Sequence, residues 1–153
     1  MGRFGRMLVL AALGAIALNA APQAAGTADA ASCIKITKIY YDSPGADDGS
    51  NGSLNAEWVR LKNICGTSKN LWYFELRDAA DNSYYFGSPF SLAAGTAVKI
   101  HTGSGTNTAT NRYWGKASYV WGNVRDTARL YNASSNLIRT CSYDNAAADV
   151  KKC

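Results

Sequence analysis

Residues 56–63, Ala56-Glu57-Trp58-Val59-Arg60-Leu61-Lys62-Asn63, decide the fold. Side chains of a β-strand alternate between its two faces. In this stretch Val59 and Leu61 fall on one face, and Trp58, Arg60 and Lys62 on the other. That is the pattern of a half-buried strand, here over residues 57–64. Glu57 shares the face of Val59 and Leu61, at the strand's beginning, where core meets rim. A carboxylate there is partly desolvated and needs hydrogen-bond donors to stay charged. The residue reads as a structural carboxylate that ties the preceding loop to the sheet edge.

The remaining chain repeats this pattern in short pieces between turn signals, with no stretch of helical periodicity. Strands are expected over residues 34–41, 71–77, 84–86, 96–102, 118–121, 127–131 and 137–143. The first changes apolar face between Ile36 and Ile39, which predicts a bulge at Thr37 or Lys38. Residues 43–55 and 103–111 read as polar loops rich in Gly, Ser, Asp and Asn. Seven or eight strands at this spacing predict an all-β, two-layer sandwich of immunoglobulin-like type. Val59, Leu61, Val98, Ile100 and Leu130 are its expected core.

The first segment reads as an export signal. Arg3 and Arg6 precede an apolar run over residues 7–18, and Ala28-Asp29-Ala30 offers a small-x-small cleavage site. The run is shorter than the roughly 20 residues needed to cross a bilayer as a helix. The expected organisation is therefore a signal peptide over residues 1–30 and one domain over residues 31–153, secreted and without a membrane span. Cys33, Cys65, Cys141 and Cys153 all follow the signal, and an even count in an exported chain argues for two disulfides. Three pairings are possible; Cys33 with Cys65 and Cys141 with Cys153 is preferred, because each pair brackets a local stretch. No two of these cysteines have the clip spacing of a structural zinc site.

Five stretches carry a family resemblance. Glu57-Trp58-Val59-Arg60-Leu61-Lys62-Asn63, Leu76-Arg77-Asp78, Tyr84-Tyr85-Phe86, Leu92-Ala93-Ala94-Gly95 and Asp126-Thr127-Ala128-Arg129-Leu130 resemble, in order and spacing, the lamin tail domain, in particular its small exported bacterial versions. The resemblance spans roughly residues 33–143. It implies an immunoglobulin-like sandwich that serves in adhesion or interaction and has no assigned catalytic residues. One departure stands out: where such domains often carry Gly-Trp in the third strand, this chain has Tyr73-Phe74.

No catalytic set assembles from the sequence. His101 is the only histidine, no G-x-S-x-G elbow supplies a serine, and Gly103-Ser104-Gly105 lacks the third glycine of a dinucleotide loop. Paired-carboxylate hydrolysis needs a second acid about 5–9.5 Å from Glu57, which Asp42, Asp47 or Asp48 supply only if their loop folds back. The same four acids are the alternative reading of that loop as an oxygen-ligand calcium site, although its spacing misses the EF-hand frame by one residue.

Nine tyrosines and four tryptophans exceed what a small core fully buries. Trp58, Arg60 and Lys62, with Arg112, Tyr113, Trp114 and Trp121, form a candidate ligand surface of rings beside cations. The 16 Lys+Arg and 11 Asp+Glu of the chain fall to 14 and 10 once Arg3, Arg6 and Asp29 leave with the signal. That mild basic excess is scattered at single positions and reads as a solvated surface. The expected function is a secreted, non-enzymatic binding module without cofactor or metal, acting on a cell-surface polymer or secreted protein. The alternatives are a polyanion-binding accessory, with nucleic acid as a weaker candidate partner, and a small carboxylate-dependent hydrolase.

Overall fold

The computed structural model describes residues 1–2, 33–144 and 148–153. The expected export segment, beyond its first two residues, lies outside the described residues. Among the described residues, eleven strands and one short helix follow in chain order: β1 (Ile34–Tyr40), α1 (Asn51–Ala56), β2 (Trp58–Asn63), β3 (Lys69–Asn70), β4 (Glu75–Arg77), β5 (Ser83–Tyr85), β6 (Ser91–Leu92), β7 (Ala97–His101), β8 (Asn111–Tyr113), β9 (Arg125–Tyr131), β10 (Leu137–Asp144) and β11 (Val150–Lys152).

A five-stranded sheet in the order β11-β1-β2-β7-β8 packs on a four-stranded sheet in the order β10-β9-β4-β5, with β3 and β6 forming a separate ribbon. Neighbours pair antiparallel, except β7 with β8. Ile34, Ile39, Val59, Leu61, Val98 and Ile100 from one layer meet Leu76, Ala128 and Leu130 from the other, all fully buried. The expected core residues are among them. Register between β1 and β2 shifts between Ile36 and Lys38, at the expected bulge.

Two disulfides fasten the sandwich. Cys33–Cys65 joins the start of β1 to the residues after β2, and Cys141–Cys153 joins β10 of one sheet to the end of β11 in the other. The second bond is therefore a staple between layers.

Three expected elements differ, each for a local reason. Residues 43–55 are not all loop: α1 forms over Asn51–Ala56, capped by the Ser50 hydroxyl, which accepts from the Ser53 N–H, and it buries Leu54 alone. A six-residue helix with one buried side chain leaves no helical periodicity to read. Residues 118–121 form no strand, because Val120 and Trp121 direct their N–H groups at a carboxylate instead of a neighbouring strand.

The expected strand over residues 71–77 is reduced to Glu75–Arg77, its first half being a turn. Phe74 N–H bonds to the Leu71 carbonyl at 2.9 Å, closing a tight turn whose third residue, Tyr73, has φ of 65°. Such turns favour glycine at that position, since positive φ crowds a Cβ. Tyr73 is nonetheless held there, with its N–H bonded to the Phe86 carbonyl and its ring stacked on Trp72 at 4.4 Å. Left-handed backbone costs an L-residue about 1–2 kcal/mol. Tyr73→Ile should therefore be less stable than Tyr73→Gly by about that amount in urea unfolding, despite filling more space. Equal stability of the two variants would contradict the turn geometry.

Candidate functional site

The inward row of β2 and the residue before it reads Glu57, Val59, Leu61, Asn63, and every one is 0% exposed. A polar residue therefore stands at each end of an apolar pair. At one end Glu57 Oε2 accepts from Thr102 Oγ1 at 2.5 Å and from Val120 N–H at 3.0 Å, while Oε1 accepts from Trp121 N–H at 2.8 Å. Its backbone carbonyl accepts from Thr102 N–H. The carboxylate thus joins β2 to the end of β7 and to residues 120–121, rather than to the loop preceding it.

At the other end, Asn63 Nδ2 donates to the Thr67 and Leu92 carbonyls, both at 2.9 Å, and its Oδ1 accepts from Cys65 N–H. Asn63 was not singled out by the sequence. The signal was its place in the alternation, two residues beyond Leu61 on the buried side.

Burial works against the Glu57 charge more strongly than its three donors support it, and its pKa is pushed up to about 7; the negative Asp47 nearby adds to the rise. The acid-rich loop does fold back toward this end. Asp47 accepts from the Ser43 hydroxyl and from Asn123 Nδ2, which also reaches Asp42, and Asp48 accepts from Ser50 N–H. These acids are bonded to loop partners, and among the described residues no three His, Cys, Asp or Glu side chains converge as a metal-holding group.

The seven candidate surface residues divide. Trp58, Arg60 and Lys62 lie on the outer face of the five-stranded sheet, with Tyr113 and His101 at its β8 end, their rings 5.1 Å apart. Arg112 faces the other way, its guanidinium 3.9 Å over Phe90. With Tyr113 and Trp114 it lines a groove of about 360 Å³ toward β5. Trp114 is half-buried against the core. Trp121 belongs to no surface: it is 1% exposed and fills the core beneath Trp114, with ring centroids 6.0 Å apart. The aromatic-basic surface expected around it is corrected accordingly, since donation of its N–H to Glu57 draws residue 121 inward.

Two features escaped the sequence. Trp72, Tyr73 and Tyr85, each at least 36% exposed, form a ring cluster at the edge of the four-stranded sheet. More telling is charge. The five strands of the larger sheet carry Lys35, Lys38, Arg60, Lys62, Lys99, Arg112, Lys151 and Lys152 and no acidic residue. Lys99 and Lys38 converge over the Trp58 indole, 4.2 and 5.9 Å from its centroid, and Tyr40 stacks beside that ring. All three recorded ion pairs of the described residues, Arg77–Glu75, Arg129–Asp81 and Arg125–Asp144, sit on the opposite layer.

Two packed β-layers with this pairing define an immunoglobulin-like β-sandwich. The family model described as Lamin Tail Domain matches residues 27–145, and the chain belongs to that family, one of non-catalytic immunoglobulin-like domains. Comparison with curated proteins yields no match.

Replacing Glu57 by Gln turns one acceptor oxygen into a donor aimed at donors. Glu57→Gln should cost about 1–3 kcal/mol at pH 7.5, the price of leaving buried groups unpaired. The folded pKa lies above the ordinary 4.5, so the folded state binds more protons between pH 4.5 and about 7. The Glu57 contribution is therefore fully present below 4.5 and is lost as pH rises through 7, an effect on the order of 3 kcal/mol. Acidification from pH 7.5 to 5.5 should raise the wild-type Tm relative to that of Glu57→Gln. A gap between the two that stays constant with pH would remove the buried-carboxylate account.

Proposed function

We propose that the protein is an exported, non-catalytic binding module whose ligand contacts lie on its outer faces. One observation carries this reading: Glu57, the acid whose pKa sits near neutrality, is sealed from solvent with both oxygens committed to protein donors. A general acid or base must reach the substrate's proton directly or through one water. Glu57 instead serves as a structural carboxylate, fixing residues 120–121 beneath the sandwich rim.

The hydrolase alternative is disfavoured by the same geometry, because Glu57 is buried and Asp47 and Asp48 are held by Ser43, Asn123 and Ser50. Export is supported by the two disulfides, which persist in oxidising compartments. Surface partners fit a domain whose exposed features are rings and unpaired cations. A cell-surface polymer or a secreted protein is the expected partner.

Intact mass spectrometry of protein collected from the medium tests export and oxidation together. The expected species lacks residues 1–30 and is four hydrogens lighter than the reduced chain. Protein held in the cells with residues 1–30 intact, or bearing titratable thiols, would contradict the reading. Catalytic turnover by purified protein that Glu57→Gln abolishes without lowering Tm would contradict its non-catalytic part.

A further inference from the structure

From the outer face of the five-stranded sheet we infer a binding site for single-stranded nucleic acid, recognised through its phosphates and not its bases. The inference rests on the binding-module reading and adds to its expected partners a ligand for this one face. Lys152, Lys38, Arg60 and Lys99 stand opposite one another on four neighbouring strands, Lys38 facing both Lys152 and Arg60, and Arg60 facing Lys99. Lys35 and Lys62 face each other beside that row.

Like charges directly opposite across strands destabilise a sheet. Here they follow one another with no acid on any of the five strands, while on the strands of the other layer Arg77, Arg125 and Arg129 are ion-paired and Arg139 bonds a backbone carbonyl. Ordinary solubility is served by interspersed charges of both signs. A row that violates this rule, with two ammoniums gathered over Trp58 and Arg60 Nε bonded to Thr37 Oγ1 at 2.8 Å, is built to meet a dense polyanion.

Charge density chooses the ligand. Four cations on adjacent strands span about 14 Å, one per strand spacing of about 4.8 Å. A nucleic-acid strand supplies one charge per about 3.4 Å of axis, enough to face every member of the row. A polymer with widely spaced carboxylates does not. A flexible single strand can follow the row, whereas a duplex curves its phosphates away from a flat face. The Trp58 ring is already covered by Lys99 and flanked by Tyr40, so base stacking there is not prepared and sequence preference is not expected.

Fluorescence anisotropy of the secreted protein with a labelled 20-nucleotide oligo-dT, and with a mixed-sequence strand of equal length, tests this. With four phosphates neutralised, raising salt from 50 to 200 mM should weaken binding by about 50-fold, equally for both sequences. The variant Lys38→Gln/Lys99→Gln should retain the wild-type Tm or exceed it, bind more weakly, and lose only about 7-fold over the same range. Arg125→Gln, on the opposite layer, should behave as wild type.

No binding at 50 mM salt, a wild-type salt response in the double variant, or equal competition by hyaluronate at matched charge would each overturn the inference. Binding with the expected slope but accompanied by cleavage of the strand would leave this site standing and defeat the non-catalytic reading. Retention on the producer's cell walls without affinity for the strand would do the reverse.

Discussion

The structure turns on one strand with two faces. β2 lies in the middle of the five-stranded sheet, and its inward row begins and ends with a polar residue that organises a different end of the sandwich. Val59 and Leu61 between them contribute about 1.5–3 kcal/mol each by burial. Hydrogen bonds at the ends add less on net, but each one left unmade costs the desolvation of a buried group. Glu57 and Asn63 therefore act chiefly as constraints. A one-residue slip of β2 would put Trp58 and Arg60 in the core and strip Thr102, Val120, Trp121, Thr67 and Leu92 of their partners.

The outer row follows from the same alternation. Because Val59 and Leu61 point in, Arg60 and Lys62 point out, and register with β1 and β7 brings Lys38, Lys35 and Lys99 alongside them. Each of these residues is isolated among neutral neighbours in the sequence, so the chain has no basic run. The basic face is a product of pairing. A mild overall excess of positive charge is thereby concentrated on one layer, while the other layer carries Arg77, Arg125 and Arg129 in ion pairs.

Legibility followed the same division. The alternation of β2 and β7, the bulge at Ile36/Lys38 and the local disulfide pairs depend on nearby residues, and all three were readable from the chain. β8 and β11 were not read: each is three residues long and completes a sheet edge, β8 in a parallel pair with the preceding strand and β11 through β1 at the other end of the domain. Tyr73 declared the absence of a glycine but not that its backbone would adopt the glycine conformation regardless. Trp121 resembled its neighbours Trp114 and Tyr119 in composition, and only the Glu57 carboxylate, 64 residues away, shows why it turns inward. The partners of Glu57 were hidden for the same reason.

The most direct test is native-state amide hydrogen exchange at Val120 and Trp121. These N–H groups belong to no strand, and their acceptor is the buried Glu57 carboxylate. If β2 fixes the sandwich rim through that carboxylate, both amides should exchange within about tenfold of the slowest β2 amides, opening only with the core. Exchange as fast as at the exposed Gly105 would show that the rim opens independently and that Glu57 does not hold it.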